Sequence, residues 1–318
     1  MVSRLLHEHG YRRRKPQKMR TMGQHADRNA QFERITELKQ AYLAAGNPVI
    51  SIDTKKKEML GNFHRDGVTD AVEPTIVNDH DFASCSHGKV IPHGIYDIHK
   101  NKASLHLNGS RDTTEFACES IALWWREQGQ HDYSHADEVL ILYDGGGSNS
   151  SSAYIFKEDL QALSNGLGLK IRIAHYPPYC SKYNPTEHRV FPHVTRACKG
   201  VPLETIETAK HYMEKTETTK GLNVVVKIID EVFETGRKYA ADFKHNMTIQ
   251  FGELLPKWNY TAIPQTNGNQ DNDSGPFHAS GFQMSGSRSV CFGPLVRFCA
   301  NPVPDSFGRG CNLLSSAG

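Results

Sequence analysis

Three acidic side chains stand where chemistry could be done. Asp53 closes the apolar run PVISID, Asp144 follows the continuous apolar run Val139 to Leu142, and Glu187 follows Asn184-Pro185-Thr186 at the end of a loop of prolines and tyrosines. Each has a plain structural explanation. Asp is common after strands because it starts turns. Asn184 as N-cap, Pro185 at N1 and Glu187 at N3 make a capping-box-like arrangement in which the carboxylate would only satisfy a backbone donor. Together they say more, because carboxylates on two strand ends and one helix start can converge at one end of a sheet and hold two divalent cations. Two metals about 3.5–4 Å apart suit in-line displacement at phosphorus. An all-oxygen donor set selects hard ions, Mg²⁺ or Mn²⁺. A helix N-terminus beside Glu187 favours its ionised form.

Other residues near these acids have two readings each. Lys55, Lys56 and Lys57 follow Asp53 and could hold a phosphate backbone or simply face solvent; His175, Tyr179 and Lys182 precede Glu187 and could touch the same backbone or order the loop. The Gly145-Gly146-Gly147-Ser148-Asn149 stretch lacks the Lys-Ser/Thr ending of a P-loop, so it gives backbone access beside Asp144 rather than a nucleotide cradle. Seventeen histidines show no H-E-x-x-H spacing, and seven cysteines no C-x-x-C pair, which argues against a zinc site or a disulfide scaffold and for reduced thiols.

The elements that must position the acids can be read from periodicity. Apolar positions Phe32, Ile35, Leu38, Tyr42 and Leu43 recur at helical spacing until Gly46-Asn47-Pro48 stops them. A strand then delivers Asp53. Glu58 to Lys89 is polar and without period, as in an insertion or long loop. Val90–Asp97 and Ala103–Leu107 alternate around a polar turn and read as a hairpin. Asp112 or Thr113 caps a helix to about Gln128. The strand ending in Asp144, a helix over about 154–166, a strand over 171–175 and the helix opened by Glu187 follow. Leu203–Lys220 is expected to be helical, Leu222–Ile229 a strand and Asp230–Met247 helical, with Trp258, Tyr260 and Ile263 as the packing end of the domain. A hairpin followed by alternating strands and helices predicts a mixed α/β sheet with flanking helices.

The length suits one good-sized domain with appendages. The net charge of +2 is unevenly spread: the first twenty residues carry seven Arg and Lys against Glu8, which leaves the rest near −4. A basic arm at Arg12, Arg13, Arg14 and Lys15 fits a polyanion such as DNA, since neutralised phosphates release counterions whatever the sequence. A frayed, solvated terminus has the same composition. No run of eighteen apolar residues and no apolar segment after the N-terminal arginines is present, so no membrane span and no secretory signal is expected, and a cytoplasmic location is. Three segments result: 1–27 a basic arm, 28–265 the catalytic domain, and 266–318 a low-complexity tail expected to be disordered.

The segments IDTKKKE, HGIYD, LYDGGGSNSS, IRIAHYPPYCSKYNPTEHR and LPKWNYTAIPQ resemble the DDE transposases of bacterial insertion sequences, specifically the Rhodopirellula-type DDE domain, from about Arg28 to Gln265. The resemblance implies a ribonuclease H-like fold, with Asp53, Asp144 and Glu187 as catalytic acids and ligands of two Mg²⁺ or Mn²⁺ ions. It also implies DNA as partner, both the element ends and the target, and leaves room for a homo-oligomer on DNA. The reaction it implies is cleavage at an element end by water, then attack of the freed 3′-hydroxyl on target DNA. Family members carry an N-terminal helix-turn-helix region, of which only SRLLHEHGYRRRK is expected here, so the arm is read as its remnant. A nuclease without joining activity and a remnant that only binds DNA stay open as alternatives.

Overall fold

A computed structural model describes residues 2–14, 25–145 and 152–265; Lys15, most of the glycine-rich loop and the tail 266–318 lie outside the described residues. The sheet begins with β1 (Val49–Thr54), β3 (Gly88–Asp97) and β4 (Lys102–Asn108), an antiparallel meander in which Asp53 stands opposite Gly94 and His93 opposite His106. On its other side β1 pairs in parallel with β5 (Glu138–Asp144), which pairs in parallel with β6 (Lys170–Tyr176). The first five long strands therefore lie in the order third, second, first, fourth, fifth, with only the second reversed. This is the ribonuclease H-like arrangement.

The sheet extends at both edges. β7 (Asn223–Ile228) adds in parallel to β4; β9 (Asn259–Ala262) adds antiparallel to β6 and is followed by β8 (Ile249–Phe251), while β2 (Glu58–Leu60) pairs with the start of β3. Among the described residues the sheet thus has nine strands. The hairpin, β5, β6 and β7 stand where periodicity put them.

Alternation along each strand divides the side chains between two faces. One face presents Ile50, Ile52, Ile95, Val139, Ile141, Tyr143, Ile171 and Ile173, and is closed by α3 (Thr114–Trp124) and α5 (Tyr154–Leu167) through Cys118, Ile121, Phe156, Leu160 and Leu163. The other presents Val49, Leu140, Leu142, Ala174 and Tyr176, which α2 (Arg28–Ala44) covers with Ile35, Leu38 and Tyr42. Further along that second face, Val90, Tyr96, Leu105 and Leu107 meet α7 (Phe191–Ala197) and α8 (Ile206–Glu214). A buried amide exchange fixes α2 at its N-terminal end: Gln31 donates to the His175 carbonyl (2.9 Å), and Asn259 on β9 donates back to Gln31 Oε1 (2.7 Å).

Two expectations need correction. Asp230–Met247 is mostly irregular, with only the short α9 (Phe243–Asn246); Gly236 has φ 89°, and the segment is held by side chains instead, Arg237 bonding Asp159 and the Ala240 amide donating to Glu158 (2.8 Å). The helix expected over Leu203–Lys220 is confined to α8, which Thr205 caps by accepting from the Thr208 amide (3.2 Å). The remaining helices are α1 (Val2–Glu8), the single turn α4 (Gln130–Asp132), which follows a π-helical turn after α3, and α6 (Pro185–Arg189).

Candidate active site

Asp53 and Asp144 leave the C-terminal ends of two adjacent parallel strands. Asp53 has the parity of Val49 and Ser51, and Asp144 that of Leu140 and Leu142, so both acids belong to the face that α2 and α7 cover. Glu187 comes to the same face because α6 is fastened to β1. Asn184, fully buried, accepts from Ser51 Oγ (2.5 Å) and from the Thr186 amide (3.1 Å) and donates to the Ile52 carbonyl (3.0 Å). Thr186 Oγ1 donates to the Ser51 carbonyl (2.7 Å). The fit needs Gly94: a Cβ there would lie 2.7 Å from the Phe191 ring and 3.0 Å from the Thr186 methyl.

The electrostatics follow from this crowding. Burial pushes the Asp53 carboxyl up to about 7, against the hydrogen bond it accepts from the Thr54 amide (2.9 Å), and the charges of Asp144, Glu187 and Asp112 push it the same way. Asp144 is also raised, by burial and then by Glu187. Glu187 does not act as a capping-box acceptor: the cap is the Asn184 side chain, and Glu187 Oε2 is buried without a hydrogen-bond partner among the described residues. A buried carboxylate oxygen without a donor calls for a cation or a proton. Among the described residues no three His, Cys, Asp or Glu side chains are yet gathered into a cluster able to hold an ion. The acids share one end and one face of the sheet with their carboxylates not closed around a point. Three like charges repel, and a hard, all-oxygen donor set with an orphan oxygen is the chemistry that Mg²⁺ or Mn²⁺ fits.

The basic residues separate. Lys55 is buried and bonded to Glu58, which also takes Arg65 (3.1 Å), so its ammonium is turned inward; this is where the expectation of a phosphate contact at Lys55 meets the fold. Lys56 and Lys182 are exposed. Arg12, Arg13 and Arg14 are exposed beyond α1, whose residues are all unburied, and Arg12 donates to the His7 and Tyr11 carbonyls (2.9 Å each). His175 lies in β6, as the strand expected over 171–175 has it, and on the face opposite the acids, fully buried with Nε2 2.9 Å from the Tyr260 hydroxyl, so it does not order the loop ahead of Glu187. Tyr179 does stand on the loop, exposed.

Sequence reading missed Asp112 as a neighbour of the site. Thr113 is the cap of α3, accepting from the Phe116 amide (3.2 Å), which leaves Asp112 beside β1, within 3.4 Å of Thr54 Oγ1. An acid directly before a good capping residue was the available signal.

A sheet of this strand order, bearing acids at the ends of its first and fourth long strands and a third on a helix clipped to the first, defines a ribonuclease H-like domain with a carboxylate site. The sequence profile of the Rhodopirellula transposase DDE domain matches residues 1–264, and the chain belongs to that family. The match takes in the first 27 residues, which the quoted motifs do not reach. Among solved structures, the chain is similar to the Mos1 transposase paired-end complex with left transposon end (14% identity, TM-score 0.46) and to the Mos1 mariner paired end complex with Mn (14%, 0.45). It is also similar to a pre-cleavage Mos1 transpososome (12%, 0.46). Each alignment covers 67% of this chain and 61% of the other, so the chain spans about three-fifths of the length of those proteins. Comparison with curated proteins gives no match. Among the described residues no helix is long and apolar enough to cross a membrane.

Proposed function

We propose that this chain catalyses metal-dependent cleavage and strand transfer of DNA, with Asp53, Asp144 and Glu187 as the catalytic acids. The observation that carries the reading is the placement of these three carboxylates on one face at one end of the sheet, near enough that, beyond burial, the Glu187 charge raises the pKa of both aspartates, in a chain of a DDE transposase family. Asp53, Asp144 and Glu187 would hold the two Mg²⁺ or Mn²⁺ ions. When bound, such a pair supplies activation of the attacking oxygen and charge stabilisation of the leaving one. The residues present do the rest. Asn184 and Thr186 hold Glu187 in register with Asp53, and burial keeps water from competing for Glu187 Oε2. Lys56 and Lys182 offer their ammonium groups to the phosphate backbone near the acids, and Arg12 to Lys15 add attraction that does not read sequence.

The test is a cleavage and joining assay on DNA bearing the inverted repeats that flank the gene, with Mg²⁺ or Mn²⁺. Asp53→Asn, Asp144→Asn or Glu187→Gln should each lower cleavage by at least about a hundredfold with the fold intact, because losing a metal ligand removes several kcal/mol of transition-state stabilisation. Full activity in any one of these variants would remove that residue from the site. Cleavage without joining would make the chain a nuclease. Neutralising Arg12, Arg13, Arg14 and Lys15 together should lower the slope of log affinity against log salt by up to about 3.6 on duplex DNA; an unchanged slope reduces the arm to a solvated terminus.

A further inference from the structure

Beside the three acids, on the same face, α2 and the segment 176–189 lie next to each other, and each carries two cations, Arg28 and Lys39 on the first and Lys182 and Arg189 on the second. The Arg28 guanidinium carbon is 5.9 Å from the centre of the Phe32 ring and 6.0 Å from that of Tyr183, and Lys182 Nζ lies 5.0 Å over the same tyrosine. Phe32 and Tyr183 meet edge-on at 4.9 Å, which joins the two elements. Further along, Lys39 of α2 faces Arg189 of α6; burial lowers the Lys39 pKa, and the Arg189 charge lowers it further. Among the described residues none of Arg28, Lys39, Lys182 and Arg189 forms an ion pair with a carboxylate; Arg28 and Lys39 are half-buried, as are Arg65 and Arg126, which do pair, with Glu58 and Glu119, while Lys182 and Arg189 are exposed. A polyanion lying along this crease would meet four cations that are not committed to ion pairs.

The same crease exposes aromatic rings. Tyr183 is 45% exposed and Tyr179 69% exposed. Tyr179 has φ 62°, a left-handed conformation that costs a bulky residue about 1–3 kcal/mol, and among the described residues its ring contacts no other aromatic ring or cation. A duplex would offer phosphates to the cations but no base faces to these rings, since its bases are stacked on one another. An unpaired strand offers both.

We propose that the crease between α2 and the 176–189 segment binds an unpaired stretch of nucleic-acid strand, its phosphates on Arg28, Lys39, Lys182 and Arg189 and its bases stacked on Tyr179 and Tyr183. The strand that reaches the acids is then held single. This rests on the nucleic-acid reading of the acid site and adds the form in which the strand is bound.

The experiment is a titration of the full chain, at one salt concentration, with a blunt duplex and with the same duplex carrying a tail of about six unpaired nucleotides, within the span of known stacking grooves. The chain should prefer the tailed DNA by at least about fivefold, as one stacked base alone would give. Tyr179→Leu with Tyr183→Leu should bring the ratio to about one, whereas Tyr179→Phe with Tyr183→Phe should keep it. Since Tyr183 packs on Phe32, the single Tyr179→Leu variant decides if the leucine pair unfolds, and it should lose part of the preference. A ratio near one in the unaltered chain, with the blunt duplex still bound, overturns this proposal and leaves the acid-site reading standing. So does a phenylalanine pair as indifferent to the tail as the leucine pair. Failure to bind either DNA overturns both.

Discussion

At the ends of β1 and β5, the two faces of one sheet lie a single residue apart in sequence and differ in almost every physical respect. Tyr143 and Asp144 are neighbours. Tyr143 points to the face closed by α3 and α5, where it is buried and its hydroxyl lies 3.3 Å from His93 Nε2. His93, His106 and His175 share this face, all essentially inaccessible, each with an Nδ1 that finds no hydrogen-bond partner among the described residues. Asp144 points to the other face, where it, Asp53 and Glu187 stand half-buried at the edge of the cover that α2 and α7 provide. The closed face buries the three histidines together with Lys157, which lies over the Tyr260 ring, and Asp159, which pairs with Arg237. The other face carries charge, and the clip that seats Glu187 lies on it too, since Ser51 and Gly94 have the parity of Asp53.

The largest expected effect tests how closed the first face is. Burial holds each of the three histidines at about 3, against about 6.5 in an unfolded chain. The folded value is the lower one, so the unfolded chain takes up protons first and stability falls as pH drops from about 6.5 towards 3. The limiting slope is up to about 4 kcal/mol per pH unit for three such groups. Urea midpoints at stepped pH values would measure it. A flat profile down to about pH 4.5 would mean that water reaches the histidines and the contrast between the faces is false.

The next effect separates the clip from the acids it positions. Asn184→Ala leaves Ser51 Oγ, the Ile52 carbonyl and the Thr186 amide without their partner. We expect a loss of about 2–4 kcal/mol in unfolding free energy, together with weaker Mg²⁺-dependent cleavage even where the variant is fully folded. Normal cleavage by folded protein would show that Glu187 is positioned by other contacts.

A third effect belongs to the face that carries the acids. The folded Asp53 pKa, about 7, lies above its unfolded value of 3.8, so the contribution of this group to stability is fully present below pH 3.8 and is lost as pH rises through 7. In metal-free buffer, Asp53→Asn should melt at a higher temperature than the unaltered chain at pH 8 and at the same temperature near pH 3.5. Added Mn²⁺ should raise the melting temperature of the unaltered chain at pH 8 more than that of the variant. Equal melting of the two proteins across this range would mean that the carboxyl is solvated rather than held in a crowded site.

Much of this was legible in the residues. The apolar runs before Asp53 and Asp144 are too short for helices, and Asn184-Pro185 marks a helix start, so the strand ends and the start of α6 could be read directly. What could not be read is what tertiary contact decides. Lys55 follows Asp53 like any exposed lysine, and only the return of β2 brings Glu58 back to it. The segment 230–247 carries enough charged and apolar residues to look helical, yet its bonds to Asp159 and Glu158 on α5 set its path. β6 runs two positions past its last aliphatic side chain, Ala174, to Tyr176, and its alternation turns His175 away from the acids. The functional reading needed more than periodicity, since each acid alone has a structural explanation and only their meeting on one face argues otherwise.

The amide exchange between Gln31 and Asn259 has a consequence for the order in which the chain can assemble during synthesis. The two partners lie 228 residues apart. Helix α2 leaves the ribosome before any strand of the sheet, and the groups that fasten its leading end, the β6 carbonyl that Gln31 reaches and Asn259, follow it. Pairings of such high sequence separation form slowly and leave partly assembled chains exposed to aggregation and proteolysis. The acids emerge well before this latch can close. A nascent chain would thus carry Asp53, Asp144 and Glu187 without the wall that α2 provides, and the charged cleft would take its final form only as synthesis of the domain is completed.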